Sequence, residues 1–465
     1  MDGGVARGSV PGNLPAAVLM SSKHMLRGTW AIAVVATVVA ACLFTVRGPW
    51  RGWQADNLDF ALIYSSARGW AGGHNPYDGA ALDAVWRDAG GPEAHRPTER
   101  GRHDLLYPPP SFVLLAPFAA PAWPVARGIW LAVNVVMFLG AVWGMVRLAG
   151  LSWRTPHAWF AAAAALALAP AHTGLFVGQT AIAVTCLLIG GHVARRRGHE
   201  IAAGCLLGFA AVLKPQVGGL YLCYELLRRR WRVVLAGGIL GVVVAIVGVA
   251  RLEVAGIEWL DALRENVRFF SIEGDGDPTQ ANPYAYQLIN LHHLLHVATD
   301  DRTLVSTLVL VVLGLLVFGF GLAARFSTSG VEGAAADAGE RPVHDELPAH
   351  VMMAVISLLA VYHRSYDAVL LMYALAWSVR GIRDRVGAAP WLMLIAVGAF
   401  WTPGGPLFHE KSPLVGALMR MEIVASATTD AWWWKTFVLP IHVWALLAIG
   451  VLAIWARTVG RKTVE

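Results

Sequence analysis

Apolar runs long enough to form membrane helices alternate along this chain with short polar turns. AIAVVATVVAACLF, at residues 31–44, is the first such run. It does not alternate polar and apolar residues as a barrel strand does. The pattern predicts about twelve spans, at 29–47, 125–147, 156–171, 177–194, 200–213, 215–228, 232–250, 303–323, 349–362, 366–379, 388–401 and 435–456. Several fall short of the ~20 residues a straight crossing needs, which points to longer ends or broken helices. Backbone groups in lipid must bond to one another, so helices are the default span. The expected fold class is an all-α polytopic membrane protein.

Basic residues fix the expected orientation. Arg147 and Arg154, Arg195 to Arg197, Arg228 to Arg230 with Arg232, Arg380 with Arg383 and Arg385, and Arg457 with Arg461 and Lys462 all fall on one side if both termini are cytoplasmic. The chain then divides into a cytoplasmic extension (1–28), a transmembrane domain (29–456) and a cytoplasmic tail (457–465). Residues 48–124 form a long first outer loop and 251–302 a second. Residues 325–348, rich in Gly, Ala and acids, form a flexible cytoplasmic linker. The apolar, proline-rich stretch 107–120 would reverse the parity if it crossed. It is read as an interfacial or re-entrant piece supported by protein. The first span follows Lys23, His24 and Arg27 and resembles an uncleaved signal anchor.

Composition agrees with this class. The 465 residues are 56% hydrophobic and 15% charged, with mean hydropathy +0.53; soluble domains carry about 25% charged residues. The net charge of +6 sits in the turns between spans, without a basic fold motif, so nucleic acid is not an expected partner. Cys42, Cys186, Cys205 and Cys223 lie in apolar stretches with no C-x-x-C pair and read as small hydrophobes.

Polar residues gather at the ends opposite the arginine clusters. The first outer loop holds Asp59, Tyr64, Asp78 and Tyr107. AHTGLFVGQT holds His172 and Gln179; LKPQ holds Lys214 and Gln216. The second outer loop holds Asn282, Tyr284, Tyr286 and Asn290. YHRSYD holds His363, Arg364, Tyr366 and Asp367. One aqueous cavity at the outer surface would collect them.

Each residue has a plain and a chemical reading. Asp59 follows the capping residues Asp56 and Asn57, and Phe60, Ile63, Tyr64, Ala67 and Trp70 recur at helical spacing. It therefore serves either the helix dipole or an acceptor hydroxyl as general base. A helix N-terminus lowers its pKa and burial raises it. The Gly72-Gly73-His74-Asn75-Pro76-Tyr77-Asp78 stretch is a helix stop and turn. Lys214 either snorkels or meets a lipid phosphate. His363 and Arg364 offer a second phosphate contact, with the Arg fork suited to phosphate oxygens, although Asp367 is placed to neutralise Arg364. Gln179 and Gln216 bond sugar hydroxyls or backbone. Trp432, Trp433 and Trp434 form an interfacial belt. Asp83, Asp88, Glu93, Glu99 and Asp104 are scattered, without Asp-x-Asp pairing, and no nucleotide-binding or H-E-x-x-H motif occurs. No metal or cofactor is expected.

Five pieces occur in order: DFALIYSSARGWAGGHNPYD, YPPPSFVLLAPFA, GLFVGQTAIAVTCLLIGG, LKPQVGGLYLCYELLRRRWR and YHRSYDAVLLM. As a set, over roughly residues 55–380, they resemble the bacterial polyprenol-phosphate-mannose-dependent mannosyltransferases of the GT-C superfamily. These include actinobacterial enzymes that elongate phosphatidylinositol mannosides and branch lipomannan. The resemblance implies a GT-C transmembrane catalytic domain in the cell membrane with its active site facing the extracytoplasmic side. It implies polyprenyl phosphate mannose as donor, a glycolipid or lipoglycan acceptor, and inversion to an α-mannoside. It maps the catalytic base onto Asp59. Lys214, His363, Arg364, His172, Gln179 and Gln216 are then candidates for the donor phosphate and sugar, and Tyr64, Tyr107, Tyr366 and Asp367 for the cavity wall. The N-terminal extension and the inserted stretch Asp88–Asp104 depart from the pattern and leave the acceptor open. A relative within the same fold transfers arabinofuranose, which keeps that sugar as an alternative. A multi-span transporter or lipid flippase is the rival class, but the charges favour helix tips over the midplane and no internal repeat is evident.

Overall fold

The computed structural model describes residues 16–55, 58–96, 106–328, 346–421 and 423–459. Over these the chain is mostly helical; no strand occurs among the described residues, only an isolated antiparallel bridge between Leu288 and Arg364. Helices lie in each expected span window, and length and composition alone identify fewer than twelve crossings among the described residues. Five are long and apolar enough to cross a membrane alone: Gly28–Gln54, Trp123–Leu148, Trp231–Val254, Arg302–Arg325 and Ile441–Thr458. Two bent pairs, Pro156–Leu166 with Ala169–Val177 and Ala389–Trp401 with Gly405–Arg420, raise the number to at most seven. The remainder are short because the sequence interrupts them. Lys214 leaves the helical region, at φ −139° and ψ 88°, before Pro215, as a residue preceding proline is biased to do, and so separates Glu200–Leu213 from Pro215–Leu227.

The long helices show the asymmetry expected of a lipid-facing shell. On Trp231–Val254, Leu235, Ile239, Val242 and Ile246 form an exposed apolar stripe, while Val233, Val244, Gly248 and Leu252 are buried on the other face. Gly248 is where this helix meets the Pro109–Ala119 helix. A Cβ there would lie 2.7 Å from the Pro109 carbonyl oxygen, so only glycine permits the approach. The Gly248 carbonyl also accepts a hydrogen bond from Trp70 Nε1 at 2.9 Å. Gly248 thus contacts both the Pro109–Ala119 helix and, through Trp70, the Leu58–Gly72 helix.

The described residues of the expected first outer loop, 48–124, are largely helical. Leu58–Gly72, Gly79–Asp88 and Pro109–Ala119 are helices. The last has 11 residues, about 16 Å of rise, too short to span. The Gly73–Asp78 turn is structural, as expected. Asn75 Oδ1 accepts from the Tyr77 amide at 3.0 Å, and Asp78 Oδ1 caps the next helix through the Ala80 amide at 3.0 Å. Tyr77 then donates to the Tyr107 carbonyl at 2.8 Å, tying the turn to the Tyr-Pro-Pro stretch. The N-terminal helix begins at Ala16, well before the expected span. Most of the expected linker, the end of the tail and part of the Asp88–Asp104 stretch, including Glu99 and Asp104, lie outside the described residues.

Three short helices run between two polar ends. Ala181–Arg196 has Gln179 before its start and Arg195 near its end. Pro215–Leu227 starts after Lys214 and ends near Glu225. Leu347–Ala360 runs oppositely, from Glu346 toward Tyr362 and Arg364. At the arginine end, Arg230 Nη1 donates to Glu225 Oε2 at 2.8 Å, and Arg195 and Arg230 both pair with Glu346. The other end is the candidate site.

Candidate active site

The tips opposite the arginine end enclose a cavity of about 180 Å³. Asp59, Leu62, Ile63 and Ser66 contribute one face of the Leu58–Gly72 helix, at the i, i+3, i+4, i+7 spacing that puts residues on one side. Tyr107 and Pro108 form a second wall, and Gln179, Lys214 and Gln216 a third. Phe270, Asp275, Tyr362, Arg364, Tyr366 and Asp367 close it.

Gln179 is the centre of this arrangement. Gly178 ends the preceding helix at φ +75°, a left-handed conformation natural to glycine, and turns Gln179 into the cavity. The Gly178 carbonyl accepts from Trp130 Nε1 at 2.7 Å, and Trp130 stacks on Phe60 at 4.9 Å, next to Asp59. Gln179 Nε2 donates to Asp59 Oδ2 at 2.9 Å and to the Tyr366 hydroxyl at 3.2 Å. Its Oε1 accepts from the Tyr107 hydroxyl at 2.9 Å and the Thr180 amide at 3.0 Å. A carboxamide has two donors and two acceptor lone pairs, and all four are used. The backbone amide of Thr180 can only donate, so it also fixes which end of the side chain is oxygen. Gln179 holds other groups in place and has no bond left for a sugar.

The charges are unequally paired. Lys214 Nζ is paired with Asp367 Oδ1, and Asp367 Oδ2 is bonded by His363 Nδ1 at 2.7 Å. Arg364 pairs with Asp275. Arg364 Nε is buried and unpartnered. Asp59 has no ion pair among the described residues. Burial pushes its carboxyl above the usual carboxylate range. Arg364, the Gln179 hydrogen bond and Lys214 oppose that shift, and Asp275 adds to it.

Not every expected residue reaches the cavity. Tyr64 points into the aromatic core, with its ring 5.3 Å from Trp123 and its hydroxyl donating to the Pro121 carbonyl at 2.7 Å. His172 is buried in the first turn of the Ala169–Val177 helix, its Nε2 donating back across the bend to the Leu166 carbonyl at 2.8 Å. Neither lines the cavity. His363 stands behind Asp367, also off the surface. Gln216 does line it and is exposed. Sequence reasoning missed Asp275, Tyr362 and Phe270. The only signal for Asp275 was its place in the acidic glycine turn Glu273-Gly274-Asp275-Gly276-Asp277 of the 251–302 loop. Of that loop's expected residues, Asn282 braces the turn, Asn290 caps a short helix, and Tyr286 lines a second cavity. Trp432 and Trp433 are exposed as a belt requires, but Trp434 turns inward.

Three residues do stand at metal-ligand spacing: His192, Glu225 and His350, with ligand atoms within 4.8 Å of one another. They lie at the arginine end, remote from the cavity. Glu225 is already bonded by Arg230 and lies 3.5 Å from Arg195, which balances its charge and weakens it as a cation ligand. Among the described residues, the cavity carboxylates are not gathered in this way.

The cavity therefore combines one unpaired carboxylate, a braced orientation for it, and cations across from it. That set suits proton removal from a hydroxyl and stabilisation of an anionic leaving group. The model of Glycosyltransferase family 87 matches residues 105–339. This span includes Tyr107, Gln179, Lys214 and Asp275; Asp59 and the turn carrying Arg364 lie outside it. Neither a curated relative nor a solved structure matches the chain. With the family model covering just over half of its length, the chain belongs to Glycosyltransferase family 87 and is a helical membrane glycosyltransferase.

Proposed function

We propose that this enzyme transfers mannose from polyprenyl phosphate mannose to a hydroxyl of a lipid-linked glycan, such as a phosphatidylinositol mannoside or lipomannan. In this reading the fold is of the GT-C type and the cavity opens away from the cytoplasm. The observation that carries the reading is the state of Asp59. Of the three cavity carboxylates, it alone lacks an ion pair among the described residues. A carboxylate committed to a cation is a poor base; an unpaired, partly buried one is a good one.

In the proposed step, Asp59 takes the proton of the acceptor hydroxyl as its oxygen bonds to the anomeric carbon. The bond from that carbon to the phosphate oxygen breaks, and the electron pair leaves with polyprenyl phosphate. Attack from the face opposite the phosphate inverts the centre and gives an α-mannoside. The leaving group needs charge stabilisation more than a proton. Arg364 is the principal candidate, since its Nε remains free while it pairs with Asp275. Lys214 supports it from the Asp367 pair. Gln216 is the amide available to a sugar hydroxyl.

The helix lengths suit a lipid-linked donor. The three helices joining the two polar ends have 13 to 16 residues, roughly 20–24 Å of rise against a hydrocarbon core of ~30 Å. With the arginine end at one headgroup layer, the cavity floor lies below the opposite surface. A prenyl chain reaches it from the bilayer without leaving lipid.

The test is transfer in membrane vesicles supplied with radiolabelled polyprenyl phosphate mannose, with polyprenyl phosphate arabinofuranose as the parallel donor. Mannose incorporation that depends on the intact chain is expected. Incorporation of arabinofuranose alone overturns the sugar assignment, and incorporation of neither overturns the donor class.

A further inference from the structure

A second cavity, of about 190 Å³, is lined by Tyr286, His293, Glu410, Asp430, Trp434 and Lys435 among others, none of which lines the first. The proposed transfer step uses none of these. We propose that this cavity is an acceptor subsite, holding a further sugar residue of the glycan whose hydroxyl receives the transferred sugar. It rests on the reading of the acceptor as a glycan.

His293 shows what kind of ligand the cavity takes. The side chain is 2% exposed, and its Nε2 has no partner. Burial lowers its pKa to about 4, so the ring is neutral at physiological pH. Nδ1 faces the Pro278 carbonyl at 3.4 Å, an acceptor, which places the ring proton on Nδ1. Nε2 is then a buried acceptor aimed at a cavity and requires a donor. A sugar hydroxyl is one; a phosphate oxygen is not.

The surrounding charges agree. Glu410 and Asp430 repel an anion, and Lys435, 3.4 Å from Asp430, opposes a cation. The mixed set of acceptors and donors suits a neutral polyol, and Trp434 adds apolar surface for a ring face. The walls are fixed. Trp434 Nε1 donates to the Phe408 carbonyl at 3.1 Å, and the Tyr286 ring stacks on His409 at 4.0 Å.

One segment joins the two cavities. Asp275 lines the first and Tyr286 the second. Between them, the Asn282 amide donates to the carbonyls of Asp275 at 3.2 Å and Asp277 at 2.8 Å. The same segment is tied to the turn carrying Arg364 by the Ile289 amide, which donates to the His363 carbonyl at 3.0 Å. A glycan lying along this segment reaches both cavities.

The test uses the full chain in nanodiscs with two acceptor probes, methyl α-mannoside and an α-linked mannotriose. The wild type should show a KM at least ten-fold lower for the trisaccharide. His293→Phe and Asp430→Ala, checked for an unchanged melting temperature, should each erase that preference. Asp430 is exposed, so its variant keeps the test open if the His293 variant does not fold. Equal KM values in the wild type, or a preference retained in both variants, overturn the inference while leaving the transfer reading intact. Failure of the transfer reading appears as no transfer to either probe. Saturation-transfer NMR with mannotriose then decides: a signal lost in Asp430→Ala supports the subsite, and no signal in the wild type, or one displaced by inorganic phosphate, overturns it.

Discussion

Gln179 Nε2 donates to Asp59 Oδ2 at 2.9 Å, joining residues 120 apart in sequence. No hydrogen bond engages Asp59 Oδ1 among the described residues. One carboxylate oxygen is held and the other is left to take a proton. Because Gln179 spends all four of its hydrogen bonds on Asp59, Tyr366, Tyr107 and Thr180, it acts through Asp59 and is a positioning residue.

That role separates two substitutions. Gln179→Leu should lower kcat by roughly ten- to a hundred-fold through misplacement of the base, with the donor KM little changed. Gln179→Glu sets a second carboxylate against Asp59 and raises its pKa further. The acid limb of the kcat/KM profile should then move to higher pH. A limb that stays where the wild type has it would reduce Gln179 to a packing residue.

Asp59→Asn should retain the acceptor oxygen for Gln179 but lose the base, lowering transfer by about 10²–10⁴-fold. Its effect on stability should run the other way. Burial raises the folded-state pKa of Asp59 above the unfolded value of 3.8. Its favourable contribution is therefore fully present below pH 3.8 and lost as pH rises through the folded value. At pH 7.5 the partly buried carboxylate is a cost that asparagine removes. The variant should melt above the wild type at pH 7.5, with the gap closing toward pH 4. A variant that melts lower at pH 7.5 contradicts the buried-base account.

Much of this was legible in the sequence, and the part that was not has a geometric cause. Apolar runs mark helices because lipid and core both select them, and polar turns between runs mark tips that can converge. Which side chain at a tip faces inward depends on helix phase. Tyr64 lies five residues after Asp59, about 140° around the helix, so the two cannot share a face. Leu62, Ile63 and Ser66 share that face instead. The same phase rule turns Trp434 inward while Trp432 and Trp433 stay exposed. Asp275 was hidden for a different reason. It sits in a glycine-rich turn with no periodicity, and only the tertiary pairing with Arg364 distinguishes it from Asp277, which pairs with Arg302. His172 read as an outer-tip residue because the bend after Leu166 leaves no mark in hydropathy.

Lys214 and Asp367 form a buried pair, with side chains 9% and 4% exposed. Lys214→Met strands the Asp367 carboxylate with only His363 beside it. Breaking a buried pair from one side costs about 3–5 kcal/mol, whereas replacing both partners by apolar groups is often near neutral. Lys214→Met should therefore melt well below the wild type, and Lys214→Met with Asp367→Leu should recover most of the loss. Equal melting of the single and double variants would show that Lys214 is not held by Asp367.

Gly248→Ala tests the seat of the Leu58–Gly72 and Pro109–Ala119 helices. The added Cβ would meet the backbone of Pro109 and Pro110 at 2.7–2.8 Å, and backbone cannot rotate away. Overpacking of this kind costs about 1–3 kcal/mol. Because Gly248 also accepts the Trp70 bond, the helix carrying Asp59 should shift with it. Both melting temperature and kcat should fall. A fall in melting temperature with kcat unchanged would show that the Asp59 helix is seated independently.

Arg364 separates phosphate recognition from fold stability. Its side chain is 17% exposed and that of Asp275 37%, so their pair is wetter than the Lys214 pair and contributes less to folding. Lysine keeps the charge and can still reach Asp275, but it lacks the planar fork and the Nε donor left free in Arg364. If the guanidinium binds the donor phosphate, Arg364→Lys should raise the donor KM and lower kcat, because the phosphate gains charge as it leaves and the lost bond matters most in the transition state. Losing one charge-assisted hydrogen bond, worth about 1.5–3 kcal/mol, predicts a fall in kcat/KM of roughly ten- to a hundred-fold. Melting temperature should stay near that of the wild type. Full kcat/KM in the Arg364→Lys enzyme would assign the phosphate to Lys214, the cavity's other cation, and require it to leave Asp367 when donor binds.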